Sequence, residues 1–116
     1  MKHDAVTMTL LFDFYGQLLT EKQASCFDLY YNQDFSLGEI AEEVGISRQA
    51  VHDSLARAEQ ALTHFESTVG FLARTQEIQT ALSTISQAAV VLTEKADDET
   101  KSLARSILDA VDMIKE

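Results

Sequence analysis

The segment from Ser36 to Ser47 places two helix starts and one helix end close together in the sequence. Ser36 and Glu39 match a capping box, in which each side chain satisfies a backbone N–H group near the start of a helix. Gly45 suits the left-handed backbone conformation that ends a helix, and Ser47 offers the next N-cap two residues later. The sequence therefore predicts a short helix, a sharp corner at Gly45 and a second helix, as in a helix-turn-helix.

Small and apolar residues around this corner fall in the register of a helix-turn-helix. Ala41 allows the two helices to cross closely, whereas Ser54 departs from the pattern because apolar residues usually occupy its position. The other positions in register are Leu37, Ile40, Val44, Ile46 and Val51. We therefore assign residues 36–66 to the helix-turn-helix, with the helix after Ser47 as its recognition helix.

Apolar residues also recur at helical spacing on both sides of this motif. Thr20 and Gln23 match another capping box, which predicts that a second helix begins after the first. The apolar stripe of the first helix comprises Leu10, Leu11, Phe14, Tyr15 and Leu18. The stripe of the long helix after Ser47 comprises Val51, Leu55, Ala58, Leu62, Phe65 and Val69. These patterns predict an all-α helix-turn-helix bundle, with a helical domain over residues 1–69.

The segment after Gly70, which bends or ends the long helix, has a heptad-like pattern. Its seam comprises Phe71, Ile78, Ile85 and Leu92, with Leu82 and Ala89 between them. A second stripe, after a connection around residues 93–98, comprises Leu103, Ile107, Ala110 and Ile114. Residues 70–116 therefore form a C-terminal extension, either a helical hairpin within one chain or a dimerisation element that packs on a second copy.

The N-terminal residues and the single cysteine both favour the cytoplasm. The apolar run at Leu10 and Leu11 is interrupted by Thr9 and Asp13, so it does not resemble a signal peptide. No apolar segment approaches the roughly 18 residues that a membrane span requires. Cys26 alone cannot form an intrachain disulfide, which gives no indication of export. We expect a cytoplasmic protein with no membrane span.

Residue spacing gives no indication of catalysis, a cofactor or a metal site. His52 and His64 are twelve residues apart and His3 lies near the N-terminus, which is not a metal-ligand spacing. Glu42 and Glu43 are adjacent, and adjacent residues on a helix point apart rather than form an acid/base pair. The four glycines do not combine into a phosphate-binding loop. We expect a non-enzyme that binds neither cofactor nor metal.

The first turns of the recognition helix carry the residues best suited to binding another macromolecule. Arg48 has the geometry to pair with guanine and Gln49 with adenine, while Arg57 could reach a phosphate. Asp53 is unfavourable beside nucleic acid because it is negatively charged. The candidate nucleic-acid or partner-binding residues are Ser47, Arg48, Gln49, His52, Asp53 and Arg57.

Net charge argues against strong binding to DNA. The chain has nine Lys and Arg against 19 Asp and Glu, a formal charge of −10. DNA-binding proteins commonly make about 6 to 10 phosphate contacts, nearly as many as all the basic side chains here. Between Ser47 and Glu66 the balance is −1, where a DNA-binding helix concentrates positive charge.

Three stretches make the chain resemble the YlxM family of helix-turn-helix proteins of Gram-positive bacteria: LLFDFYGQLLTEKQ, LYYNQDFSLGEIAEEVGISRQAV and LTHFE. They lie between Leu10 and Glu66. The resemblance implies a fold like the DNA-binding fourth region of sigma factors, in a protein whose gene neighbours that of the signal recognition particle GTPase. It also implies that binding involves Ser47, Arg48, Gln49 and His52.

These observations leave three functional hypotheses. The first is a non-catalytic regulator or adaptor of the signal recognition particle pathway, which contacts the particle's GTPase or RNA and forms a homodimer. The alternative is a DNA-binding transcriptional regulator. The third is a dimeric scaffold in which the helix-turn-helix serves only folding.

Overall fold

The computed structural model describes residues 4–95 and 97–115, which form six α-helices and no strand. The helices are α1 (Ala5–Tyr15), α2 (Glu21–Phe27), α3 (Leu37–Val44), α4 (Arg48–Val69), α5 (Phe71–Lys95) and α6 (Asp98–Lys115). The prediction of an all-α fold is therefore confirmed. Two compact units are present, one ending at Leu72 and the other beginning at Ala73.

Helix α1 ends in a tighter turn than its sequence predicted. The Asp4 carboxylate caps its start by accepting a hydrogen bond from the Thr7 N–H group, at 3.4 Å. After Tyr15 the chain forms a 3₁₀ turn over Gly16–Leu18. Because a 3₁₀ turn rotates by 120° per residue rather than 100°, the predicted stripe is lost here. Leu18 is consequently 64% exposed, and Leu19 is buried in its place.

Helix α2 begins with the predicted capping box and continues into a wider, π-helical turn. Both reciprocal bonds between Thr20 and Gln23 are formed. The π-helical turn over Asp28–Asn32 was not predicted from the sequence. In this turn the Asp28 carboxylate accepts hydrogen bonds from the side-chain amides of Asn32, at 2.8 Å, and Gln33, at 2.9 Å. These bonds stabilise the segment that leads to α3.

The core of the N-terminal unit lies where α1, α2, α3 and α4 pack together. Its most deeply buried side chains are Phe27, Ile40, Leu55, Leu62, Val51 and Cys26. Phe12 stacks on Phe27 with ring centroids 4.6 Å apart, and Phe14 lies 4.8 Å from Phe71. Both sides of α1 are therefore covered by other parts of this unit.

A hydrogen-bonded joint connects α4 to the start of α5. Gly70 ends α4 in the left-handed conformation, with φ at 68°, and Val69 before it is 63% exposed. The apolar stripe predicted for α4 thus contributes to the core only as far as Phe65. The Tyr15 hydroxyl donates to Glu66 Oε1, at 2.7 Å, and accepts from the Phe71 N–H group, at 3.1 Å.

Glu66 completes the joint, because Oε1 also accepts from the Leu72 N–H group at 3.0 Å. Two backbone donors in the first turn of α5 are therefore satisfied by side chains from α1 and α4. Burial and the bond to Glu66 raise the pKa of the Tyr15 hydroxyl above its usual value.

The C-terminal unit consists of most of α5 together with α6. Its buried side chains are Leu82, Ala89, Ala104 and Val111. Asp97 caps α6 by accepting from the Thr100 N–H group at 2.8 Å. The connection predicted around residues 93–98 is shorter in the structure, because α5 continues to Lys95.

Candidate nucleic-acid or partner interface

The corner between α3 and α4 has the local geometry that its sequence predicted. Ser36 and Glu39 form both bonds of the capping box, and Gly45 has φ at 81°. Gly45 and Ile46 both donate their N–H groups to the Ala41 carbonyl oxygen, at 2.9 and 3.1 Å. The Ser47 hydroxyl then accepts from the Ala50 N–H group, at 3.0 Å, and α4 begins. The chain therefore turns sharply rather than forming one continuous helix.

All six residues predicted to bind nucleic acid or a partner lie on α4 or at its N-cap. Five of them are exposed and His52 is partly buried. Because Gln49, Asp53 and Arg57 are successively four residues apart, they form one stripe along the helix. Ser54 faces the core and is 8% exposed, in agreement with its place in the helix-turn-helix register. The candidate residues are thus accessible but spread around α4, because Arg48 and Arg57, nine residues apart, lie about 180° apart on the helix.

Asp53 interacts with two of the other candidate residues. The Gln49 side-chain amide donates to Asp53 Oδ1 at 3.0 Å. His52 Nδ1 lies 3.7 Å from the same oxygen, close enough for an ion pair when the imidazole is protonated. Asp53 therefore holds one side-chain amide that could otherwise contact a base, and it places a negative charge between Gln49 and Arg57.

Arg48 lies beside the first turn of α3. A β-carbon added to Gly38 would be 3.8 Å from the Arg48 Nε atom, so the guanidinium stem passes close to this backbone. The surface here is a shallow concavity whose lining includes Gly38, Glu39, Glu42 and Arg48. Two hydrogen bonds from Ser36 lower the pKa of the Glu39 carboxyl, which favours its charged form. The Arg48 end of the site therefore combines one cation with two carboxylates.

A groove that sequence reasoning did not identify runs along α4 on the side next to α1. It has a volume of about 700 Å³ and is lined by Asp4, Met8, His52, Ala56, Glu59, Gln60, Thr63, His64 and Ser67. Glu59 is buried there and only 6% exposed. Its spacing of four residues from Leu55 and three from Leu62 places it on the buried side, a signal available in the sequence.

In the described parts of the chain, no three His, Cys, Asp or Glu side chains are arranged to hold a metal ion. His3 lies outside the described residues. Within residues 4–95 and 97–115, no helix is both long enough and apolar enough to span a membrane.

The fold and the exposed side of α4 define an all-α helix-turn-helix protein with two further helical segments at its C-terminus. The chain belongs to the UPF0122 family of helix-turn-helix proteins, described as YlxM / p13 like, whose profile matches residues 2–103. The match includes the corner, α4 and all of α5.

Several members of this family are similar to the chain over most of its length. It is 48% identical to a UPF0122 protein of Thermoanaerobacter sp. strain X514 over 98 residues, which cover 84% of each chain. It is 41% identical to a UPF0122 protein of Bacillus thuringiensis over 107 residues, or 92% of this chain and 96% of the other. A UPF0122 protein of Desulforamulus reducens is 54% identical over 67 residues, covering 58% of this chain and 57% of the relative.

Proposed function

We propose that this protein is a non-catalytic, cytoplasmic regulator or adaptor of the signal recognition particle pathway. The exposed side of α4 that begins at Ser47 contacts the particle's GTPase or its RNA. The assignment to this pathway comes from the family resemblance in residues 10–66. The family's helix-turn-helix supports a macromolecular partner rather than a small substrate.

The position of Asp53 is the observation that favours an adaptor over a DNA-reading protein. A DNA duplex carries a dense row of phosphates, which would meet this carboxylate between Gln49 and Arg57. A protein surface lacks this row of phosphates and offers hydrogen-bond donors, which can pair with Asp53 while acceptors pair with Arg48. The formal charge of −10 adds to the repulsion of a simple duplex.

Direct binding tests this proposal. The purified chain is titrated separately against the particle's GTPase, the particle's RNA and an unrelated duplex DNA, at about 150 mM salt. We expect measurable association with the GTPase or the RNA and much weaker association with the duplex. Arg48→Ala should weaken that association about tenfold, because it removes an exposed side chain suited to interfaces.

Arg105→Ala is the matched control, because it removes one exposed arginine from α6 rather than from α4. The dissociation constant of this variant should stay within about twofold of that of the unmodified chain, because the substitution lies far from the proposed binding surface. No association with either particle component would contradict the assignment to the pathway. Equal losses of affinity in the Arg48→Ala and Arg105→Ala variants would contradict the assignment of the binding surface to α4.

A DNA-binding transcriptional regulator is the second candidate, and the exposure of Arg48 and Gln49 just after the Ser47 cap favours it. It predicts a salt-sensitive shift in the electrophoretic mobility of a duplex that contains the regulated promoter. Arg48→Ala and Gln49→Ala should each reduce that binding by roughly tenfold, as expected for loss of one base contact. A shift that both variants leave unchanged would contradict recognition by α4.

A further inference from the structure

The two helices of the C-terminal unit expose an apolar surface on the side next to their buried residues. Ile85 and Leu92 follow the buried Leu82 and Ala89 by three positions, and each is 43% exposed. Ile107 follows the buried Ala104 by the same interval and is 41% exposed. Three positions correspond to 300° around a helix, so the exposed apolar side lies about 60° from the buried side in both helices.

This common offset places the two apolar surfaces together. Lys95 and Asp98 are joined by two residues, a connection short enough to make α5 and α6 antiparallel neighbours. When antiparallel helices face each other, the same rotational offset points to the same side of the pair. The resulting surface, called here the C-terminal apolar face, comprises Ile78, Ala81, Ile85, Ala88 and Leu92 of α5 and Leu103, Ile107, Ala110 and Ile114 of α6.

The α5 part of this face has the pattern of a helix that packs against other helices. Ile78, Ile85 and Leu92 are seven residues apart, with alanine three positions after each isoleucine. This is an a/d heptad pattern, in which the small alanines permit close approach of another helix. In the isolated chain these a positions remain 39–43% exposed.

Charge indicates which partner covers the face. The segment from Ile78 to Thr93 contains no charged residue, the longest such run in a chain with a formal charge of −10. Two copies of so acidic a chain repel each other over most of their surface, but they can meet here without opposing carboxylates. On α6, Arg105, Asp109 and Asp112 fall on the other side of the helix from Ile107 and Ile114 by their spacing. Glu99, four residues before Leu103, is the carboxylate of α6 that lies at the edge of this side, in the first turn of the helix. A basic partner, by contrast, would be attracted to the acidic surfaces elsewhere.

We propose that the C-terminal apolar face is the interface of a homodimer, in which the same face of a second copy completes a four-helix arrangement. Such a contact is isologous, so each residue of the face meets the corresponding face of the partner around a two-fold axis. The interface lies within the C-terminal unit and is independent of the pathway proposed for α4.

Analytical ultracentrifugation of the full chain from about 1 to 100 µM tests the proposal. We expect a dimer that dissociates on dilution. Ile85→Glu should raise its dissociation constant at least about tenfold, because two carboxylates are introduced into one apolar interface. Gln87→Glu is the matched control, with the same new charge on an exposed residue about 200° around α5 from Ile85, and it should leave the constant unchanged.

Ile107→Glu introduces the same charge on α6 and should also raise the dissociation constant of the dimer. Circular dichroism checks that each variant keeps the helical content of the original chain. A chain that stays monomeric throughout the concentration range would overturn the proposal, because another partner or another part of the chain would then cover the face. A dimer that persists in both glutamate variants at Ile85 and Ile107 would also overturn it. Dissociation by Gln87→Glu as strong as by Ile85→Glu would place the interface elsewhere.

Discussion

Gly45 is the residue on which the corner between α3 and α4 depends most directly. Its φ of 81° lies in the left-handed region, whereas a β-carbon added there would have no atom within 4 Å. Gly45→Ala should therefore lower the free energy of unfolding by about 1–2 kcal/mol through backbone strain alone. Urea unfolding followed by circular dichroism measures this change.

Gly38→Ala is the control for that experiment, because Gly38 lies inside α3 and its new β-carbon would make only ordinary contacts. Alanine in a compatible helical position should leave stability unchanged or raise it by about 0.5–1 kcal/mol. Similar destabilisation by the two substitutions would show that loss of glycine, rather than the left-handed conformation, is responsible.

We expect Asp53 to weaken any binding of nucleic acid to α4, because its carboxylate would face phosphates. Asp53→Asn removes the negative charge near Gln49 and Arg57. An exposed charge a few ångströms from a phosphate is worth about 1 kcal/mol, so affinity for a duplex DNA probe at low salt should rise about fivefold. Fluorescence anisotropy measures the dissociation constant. Asp109→Asn makes the same charge change on exposed α6, and an equal rise there would indicate an effect of net charge only.

At the scale of elements, the start of α5 depends on side chains from α1 and α4. Tyr15→Phe removes a donor to Glu66 and an acceptor for the Phe71 N–H group, both in a partly buried setting. The exchange of the Phe71 amide with deuterium should accelerate, since an unsatisfied helix terminus frays. The Ala50 amide, capped by Ser47 in α4, is the internal reference. Equal acceleration at both amides would indicate general destabilisation rather than loss of this joint.

Features of the fold that depend on neighbouring residues were predictable from the sequence. The corner at Gly45 and the caps at Thr20, Ser36 and Ser47 were predictable because each depends on chemistry within four residues. The bond between Gln49 and Asp53 belongs to the same local class, being an i,i+4 pair. The sequence could therefore have revealed it.

Features that depend on distant parts of the chain were not predictable in this way. Tyr15 and Glu66 are 51 residues apart, and nothing local indicates that they meet. The 3₁₀ turn that exposes Leu18 reflects how α1 is joined to the next helix, whereas the periodicity of α1 simply continues through it. The π-helical turn at residues 28–32 was likewise not predictable, because its sequence is compatible with an ordinary helix.

At the scale of the whole molecule, stability should depend on pH through the helix caps. Hydrogen bonds from Thr7, Ser36 and Thr100 lower the pKa values of the carboxyls of Asp4, Glu39 and Asp97, respectively. A carboxyl with a lower pKa in the folded state stabilises that state above its unfolded pKa, near 4, and loses this contribution as pH falls through the folded value.

Repulsion within the acidic chain has the opposite dependence on pH. The formal charge of −10 becomes less negative as carboxylates are protonated, which relieves self-repulsion. We therefore expect the thermal midpoint to change little or rise slightly from pH 7 to about 5, and then to fall below about pH 4. Thermal unfolding at fixed ionic strength measures this profile. A midpoint that keeps rising below pH 4 would show that the caps contribute less than the repulsion.

The joint between α4 and α5 has a consequence for the length of the chain at this point. Gly70 stands at a bend between helices, the kind of place where proteins commonly accept insertions. Here, however, the Glu66 carboxylate binds the Leu72 N–H group, and the Tyr15 hydroxyl binds that of Phe71. One added or deleted residue between Glu66 and Phe71 would move both donors away from their acceptors. Variants of this protein should therefore differ in amino acid here more readily than in residue number.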